Sequence, residues 1–355
     1  MPKIVFTGGG SAGHVTPNIA IINELSKDWD IFYMGSKKGI EKELIQKLSI
    51  PYYGINSGKL RRYIDIENLW DMLRVIKGCF EARRILKKLK PNLVFSKGGF
   101  VSVPVILAAK SLKIPIYIHE SDMTPGLANK ISQRFSTKIF TSFEETSKFF
   151  PNHKTKVIGS PIRSEILNGS EEIGRKFLDF DKHSPILTIM GGSLGAKKIN
   201  EVVRKSLKQL TAKYQVVHLC GKNNFDDELS GYPRYKQFEY VHDELSDILA
   251  ATDLVITRGG SNAIFEFLSL KIPMIIIPLG LNQSRGDQIL NAKAFQEKGY
   301  SLTLEEEKLN SDTLLEHLNT VYKNRNEFEQ NMKESQKMEA LQTLVTEINK
   351  VKKMK

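Results

Sequence analysis

Two stretches in opposite halves of the chain share one pattern, and that pattern leaves few folds open. Ile4-Val5-Phe6-Thr7 runs into Gly8-Gly9-Gly10-Ser11-Ala12-Gly13 and then a helical periodicity. Ile186-Leu187-Thr188-Ile189-Met190 runs into Gly191-Gly192-Ser193-Leu194-Gly195-Ala196 and then another. Each is strand, glycine loop, helix, and each opens a series of short β-rich apolar runs alternating with longer helical patterns. The first series is Lys3–Thr7, Ile31–Met34, Leu93–Ser96, Ile116–His119 and Lys138–Thr141. The second is Ile186–Met190, Val216–Cys220, Leu254–Thr257 and Met274–Pro278. Uninterrupted apolar runs suit strands buried on both faces of a parallel sheet. The reading is α/β, with two Rossmann-like domains whose parallel sheets face a cleft. At roughly 150 residues per domain, 355 residues accommodate two. Gly159-Ser160-Pro161 breaks the pattern and marks the linker. The expected division is residues 1–160, residues 161–335, and a C-terminal helix at 336–355 that packs back on the first domain.

A glycine loop entering a helix brings backbone N–H groups and the positive end of the helix dipole to an anion, so a phosphate is expected nearby. Gly8, Gly10 and Gly13 match G-x-G-x-x-G, but the second strand ends Tyr33-Met34-Gly35-Ser36 with no acid for a ribose, which argues against a nicotinamide dinucleotide. His14 follows Gly13 where a P-loop needs lysine. At a helix start its imidazole is shifted toward the neutral form, as a general base requires. A capping or packing role for His14 is equally open from the residues alone. Asp28-Trp29-Asp30 and Asp179-Phe180-Asp181 read as surface acids, because neither follows a strand. No Cys/His/Asp cluster has metal-ligand spacing, so no metal or other cofactor is expected. No G-x-S-x-G offers a serine nucleophile. In the second half, Arg258-Gly259-Gly260-Ser261-Asn262-Ala263 follows a strand and leads into a helix carrying Glu266. Glu266 either compensates the helix dipole or accepts two ribose hydroxyls. The polar loop from Leu279 to Gln288 falls where a sugar would lie.

Lys and Arg number 52 against 40 Asp and Glu, a net +12 that favours an anionic partner: nucleic acid, an acidic membrane face or a phosphorylated substrate. Cys79 and Cys220 read as two reduced thiols. No signal peptide is read at Met1-Pro2-Lys3, and no uncharged apolar run nears the about 18 residues of a membrane span. The expectation is a cytoplasmic protein able to sit on a membrane surface.

Taken together, several strings resemble one family across nearly the whole chain. They are Gly8 to His14, Lys97-Gly98-Gly99-Phe100-Val101-Ser102, His119-Glu120-Ser121-Asp122 with Gly126-Leu127-Ala128-Asn129-Lys130, Gly159 to Arg163, Gly191 to Ala196, Arg258 to Glu266, and Asp287-Gln288 with Asn291-Ala292. In this order they are similar to the MurG family, the UDP-N-acetylglucosamine:N-acetylmuramyl-(pentapeptide) pyrophosphoryl-undecaprenol N-acetylglucosamine transferases. The resemblance implies the GT-B glycosyltransferase fold and an inverting reaction. The C4 hydroxyl of N-acetylmuramic acid in undecaprenyl-linked muramyl pentapeptide (lipid I) attacks the anomeric carbon of UDP-N-acetylglucosamine, giving lipid II. It also implies that backbone amides and helix dipoles, rather than a metal, stabilise the leaving diphosphate.

Roles follow residue by residue from the same resemblance. His14 is the general base candidate, and Glu120 is a second catalytic candidate lining the acceptor side with Asn129, itself also counted with the donor-binding residues. Ser11, Ala12 and Gly13 lie near the sugar and diphosphates. Ser193 contacts the donor phosphate and Arg163 the donor. Tyr240 caps the uracil and the Val241 backbone pairs with it. Ser261, Asn262, Ala263, Ile264, Phe265 and Glu266 form the nucleotide loop, with Glu266 on the ribose. Gln288, helped by Asp287, reads the transferred sugar. Two departures bear on individual roles: Ser11-Ala12 stands where the family often has Thr-Gly, and Asp122 stands where it has Asn.

A lipid-linked acceptor calls for membrane docking at the cytoplasmic face. Leu69, Trp70, Leu73, Val75, Ile76 and Phe80 are interleaved with Arg61, Arg62, Arg74 and Lys77, as suits peripheral binding to an anionic inner leaflet. Ala82–Leu89, with Arg83, Arg84, Lys87 and Lys88, reads instead as a core-facing helix with a solvated basic face. Two other activities keep the fold: a UDP-sugar diacylglycerol glycosyltransferase and a UDP-N-acetylglucosamine 2-epimerase. No nucleic-acid module is recognised, so nucleic acid is not an expected partner.

Overall fold

The computed structural model describes residues 1–25, 28–58, 66–192, 195–335 and 339–353, with backbone alone at 66–70 and 353. The chain forms two compact units, Met1–Pro161 with Met338–Lys355, and Ile162–Lys337.

The first unit holds a seven-stranded sheet of β1 (Lys3–Thr7), β2 (Asp30–Ser36), β3 (Tyr52–Ile55), β4 (Leu93–Ser96), β5 (Ile116–Glu120), β6 (Lys138–Thr141) and β7 (Thr155–Val157). Every pairing is parallel, in the order β3-β2-β1-β4-β5-β6-β7. Side chains alternate across the sheet. Ile4, Phe6, Phe95, Tyr117 and Phe140 build a core on one face, and Val5, Met34, Val94, Ile118 and Ile139 build one on the other.

The second unit holds β8 (Ile186–Met190), β9 (Gln215–Leu219), β10 (Tyr235–Phe238), β11 (Leu254–Thr257), β12 (Met274–Ile276) and β13 (Ser301–Thr303). Their order is β10-β9-β8-β11-β12-β13, again all parallel. Counted within each unit, both sheets share the order 3-2-1-4-5-6, the doubly wound arrangement whose switch point lies between its first and fourth strands. The two glycine loops therefore leave β1 and β8 at the switch points, where ligands of such sheets bind.

The four strands that periodicity did not single out, β3, β7, β10 and β13, are the four sheet edges. After β13 come the helices Ser311–Lys323, Arg325–Glu334 and Ala340–Lys350. An Asn310–Thr313 capping box starts the first. The last packs Ala340, Leu344 and Ile348 into the first unit's core, followed by Val351. Trp29 is buried there while Asp28 stays exposed and Asp30 half-buried; its indole N–H donates to Asn349 Oδ1 at 2.9 Å, and Lys352 lies over its ring. Asp28-Trp29-Asp30 is thus the dock of this helix. Glu347 on the same helix pairs with Lys138 and, at 2.7 Å, with Lys350.

Candidate active site

In the first unit the loop after β1 bends through Gly8–Gly10, makes a single 3-10 turn at Ala12–His14 and enters the helix Thr16–Leu25. Gly10 has φ +85°, and a Cβ there would strike the Phe100 ring. Gly99 has φ +81° and packs directly on the Gly9 carbonyl, so only glycine lets the β1 and β4 loops meet. The acid missing from the end of β2 comes from the next helix, Ile40–Gln46. Glu41, fully buried, accepts from the Gly10 N–H at 3.3 Å, the Ser36 N–H at 3.0 Å and the Ser36 hydroxyl at 2.6 Å. Its carboxylate braces the loop from behind. His14 is half-buried, with Nδ1 2.9 Å from the Ser11 hydroxyl; Ser11 and Gly13 are exposed and Ala12 is half-buried.

Beyond β4 and β5 lies a buried polar cluster. Lys97 Nζ donates to His119 Nδ1 and to Ser121 Oγ. His119 Nε2 lies 3.0 Å from the Gly159 carbonyl, which can only accept, so Nε2 carries the proton and Nδ1 offers its lone pair to Lys97. Burial, reinforced by Lys97, holds the imidazole well below its ordinary pKa. Burial likewise brings the Lys97 ammonium down to about 7, against the pull of Glu120 and Asp122. Glu120 accepts the N–H groups of Ser121 and Asp122 on Oε1 (2.9 and 3.1 Å). On Oε2 it accepts the Gly126 N–H at 3.0 Å and the Asn129 amide at 2.9 Å. Burial, then Asp122, pushes its carboxyl up to about 7. Asn129 also donates to the His119 carbonyl at 3.3 Å, and its Oδ1 is buried without a partner among the described residues.

In the second unit a cavity of about 300 Å³ opens at the carboxyl ends of β8 and β11. Gly191, Gly192, Gly195, Thr257, Gly260 and Gln288 are among its lining residues, and Lys197 brings a cation. Ser193, with Leu194, lies outside the described residues. The helix Ser261–Leu270 begins at this cavity with Ser261 buried at its first turn. Gln288 Oε1 accepts from the Gly259 N–H at 3.2 Å and the Leu279 N–H at 3.1 Å, clamping the loops after β11 and β12. Arg258 is buried beneath, bonded to the Ile277 carbonyl at 3.2 Å and to Glu306, whose other oxygen accepts from Gln283 at 3.0 Å. Asp287 pairs with Arg285 at 2.8 Å.

Glu266 is buried and faces Arg163 Nη2 at 3.4 Å. Burial raises its carboxyl above the ordinary value, and Arg163 opposes the rise. Arg163 Nε is itself buried without a hydrogen-bond partner among the described residues. Tyr240 is 57% exposed, its ring 4.4 Å from that of His242, whereas the Val241 side chain is buried. Two expected side chains point elsewhere. Ile264 is fully buried in the core, and Phe265 stacks edge-on against Phe295 at 5.3 Å, because the helix turns those positions away from its loop-facing side. Asn262 and Ala263 remain half-buried, and Ala263 lines the cavity.

Sequence reasoning missed Glu41 and any role for Lys97. Both are charged residues with near-zero exposure, and their partners lie on other strands, so no spacing rule flags them.

On the helix Ile66–Leu89, Met72, Leu73, Ile76 and Phe80 are exposed, with Arg74, Lys77, Arg83 and Arg84 exposed among them. Ala82, Leu86 and Leu89 face the core. Arg61 and Arg62 lie outside the described residues, as do the side chains of Leu69 and Trp70. Among the described residues no helix is long and apolar enough to cross a membrane.

The profile of the glycosyltransferase family 28 N-terminal domain matches residues 4–141, and that of its C-terminal domain matches residues 186–347. A UDP-N-acetylglucosamine–N-acetylmuramyl-(pentapeptide) pyrophosphoryl-undecaprenol N-acetylglucosamine transferase of Shouchella clausii is 56% identical over 342 residues, 96% of this chain and 97% of that one. Enzymes of the same description from Bacillus cereus (numbered 2 in that organism) and Lachnospira eligens are 55% and 53% identical, over 98% and 97% of this chain and 99% and 98% of theirs. Among solved structures, Acinetobacter baumannii MurG superposes with a TM-score of 0.78 at 23% identity, over 99% of this chain and 100% of that one. The Streptomyces glycosyltransferase SsfS6 gives 0.67 at 14% identity, over 98% and 100%. The fold is that of the GT-B glycosyltransferases.

Proposed function

This chain belongs to the family of UDP-N-acetylglucosamine–N-acetylmuramyl-(pentapeptide) pyrophosphoryl-undecaprenol N-acetylglucosamine transferases, and from that premise we propose how its residues divide the work. The protein is an N-acetylglucosaminyltransferase. It moves N-acetylglucosamine from UDP-N-acetylglucosamine to the C4 hydroxyl of N-acetylmuramic acid in lipid I, with inversion, and forms lipid II for peptidoglycan. The observation that carries this is 52–56% identity to enzymes of that one description over nearly the whole chain.

The second unit takes the donor. The diphosphate lies against the amides of the Gly191–Ala196 loop and the start of the helix Ser261–Leu270, with Ser193 and Lys197 beside it, where N–H groups and the helix dipole stabilise departing UDP. Glu266, held by Arg163, accepts the ribose hydroxyls. Tyr240 covers the uracil while the Val241 backbone pairs with it. Gln288 and Asp287 face the transferred sugar.

The first unit takes the acceptor. His14 removes the C4 proton through Nε2. That requires Nδ1–H to donate to Ser11 Oγ across their 2.9 Å contact, so that Nε2 is the ring nitrogen without a proton. Glu120 acts differently from a second base. All four of its lone-pair positions are taken by loop donors, so it shapes the 121–126 loop and Asn129. The exposed apolar and basic face of the helix Ile66–Leu89 docks peripherally on the anionic cytoplasmic face of the membrane.

The test is transfer of radiolabelled sugar to a short-chain lipid I analogue, with and without EDTA. Label must reach the lipid only when the muramyl diphosphate is present, and transfer must survive EDTA. Label on diacylglycerol, or epimerised donor without acceptor, would move the activity to another GT-B enzyme. Vesicle pelleting that did not depend on anionic lipid or salt would remove the docking role.

A further inference from the structure

Among the buried lysines and arginines of the described residues that the division of work above leaves without a part, Lys97 is the least exposed. Lys97 follows β4 with 2% of its surface exposed. Its backbone N–H donates to the Thr7 carbonyl at 3.1 Å, at the end of β1. Its ammonium reaches across to β5, to His119 and Ser121 on either side of Glu120. One residue, through its backbone N–H and its ammonium, thus ties together the ends of the three central strands. An ammonium this deeply buried is unfavourable unless both hydrogen bonds and countercharge surround it. The hydrogen bonds come from His119 and Ser121, and the countercharge from Glu120 and Asp122. Those two acids lie two residues apart in sequence, and the residue between them, Ser121, receives the Lys97 ammonium. The loop they occupy is the one Glu120 organises through four donors, and it carries Asn129.

We propose that Lys97 is a positioning residue of the acceptor half: it holds His119 as the Nε2–H tautomer, anchors the Glu120–Gly126 loop to the ends of β1 and β4, and, bonded to Ser121, sets its charge beside the aspartate at position 122. Lys97 and Asp122 are then an energetically coupled pair. The catalytic consequence rests on the acceptor assignment proposed above; the coupling itself does not.

The experiment compares wild type, K97M, D122N and K97M/D122N. Losing a charged hydrogen-bond donor at a buried site lowers kcat/KM for the lipid I analogue about ten- to hundredfold in K97M. UDP-N-acetylglucosamine affinity should change less than about twofold, since that ligand is assigned to the other unit. K97M/D122N, with the charge balance restored, should be more active and higher melting than K97M. Kinetics of K97M within twofold of wild type, or single-variant effects that simply multiply in the double variant, would overturn the proposal. Should K97M fail to fold, the imidazole nitrogen shifts of His119 in the wild-type protein decide: a neutral Nε2–H ring supports the proposal, and an Nδ1–H or protonated ring refutes it. Wild type that transfers sugar to no muramyl lipid would refute the functional reading alone, and the four melting temperatures would still read the coupling.

Discussion

Leu344→Ala tests the return of the C-terminal helix to the first unit. Leu344 is fully buried in a core shared with Ile4, Phe6, Trp29, Phe95 and Phe140. Truncating such a leucine removes its transfer free energy and leaves a cavity, together about 2–5 kcal/mol. A domain's whole stability is about 5–15 kcal/mol, so the loss is a large share. Two-state analysis of the whole chain is inappropriate for two units, but the chain offers a local probe. Its two tryptophans, Trp29 and Trp70, both belong to the first unit, so fluorescence excited selectively at tryptophan reports that unit. With a urea slope of about 2 kcal/mol/M, a loss of about 3 kcal/mol moves the midpoint down by about 1.5 M. An unchanged tryptophan midpoint would show that the helix contributes nothing to this core, and the argument from burial would fail.

Other perturbations follow from the same contacts. His14→Ala should lower kcat by about 10²–10⁴-fold with UDP-sugar binding nearly intact, measured by steady-state kinetics beside donor titration; collapse of donor binding would make His14 structural. Glu306→Ala strands the buried Arg258 guanidinium and frees Gln283, at about 3–5 kcal/mol, and should raise the KM for UDP-N-acetylglucosamine through the loosened β12 loop. Phe80→Glu, at a side chain 70% exposed, should weaken binding to anionic vesicles in a pelleting assay while changing stability by only about 0.5 kcal/mol. Burial acts to raise the Glu347 carboxyl, but Lys138 and Lys350 outweigh it and the net shift is downward. A depressed carboxylate stabilises the fold above its unfolded pKa of about 4.5, and that contribution is lost as pH falls through the lower folded value. Hydrogen-exchange protection in Ala340–Lys350, taken relative to the intrinsic rate at each pH, should therefore fall in acid below that range, and Glu347→Gln should remove the dependence.

The central strands were legible because they are buried on both faces and so read as continuous apolar runs. β4 and β5 are buried at every position. The edge strands are short and half-wetted: β7 has no buried residue and β10 alternates, so neither makes such a run. Glycine loops announced both switch points, because backbone approach to a ligand or a second loop leaves a compositional trace. The supporting charges left none. Glu41 serves Gly10 across 31 positions, and Lys97 serves His119 across 22, distances that only strand order closes. Ile264 and Phe265 belong to the string expected to form the nucleotide loop, yet the first is buried in the core and the second packs on Phe295, since a helix cannot present six successive residues to one side. Trp29 was hidden between two acids that suggested surface.

The first unit is built from both ends of a long interruption, and a ribosome emits the chain in one direction only. At about 5–20 residues per second, the stretch Ile162–Lys337 occupies roughly ten to forty seconds of synthesis. Through that interval the face carrying Phe6, Phe95 and Phe140 waits for Leu344 and Ile348, while the second unit has all it needs as soon as it emerges. The half made first is completed last. A nascent chain stalled near its final turns would carry a finished second unit and, in the first, an open, adhesive apolar face, and that stage is where a holding chaperone would find its substrate.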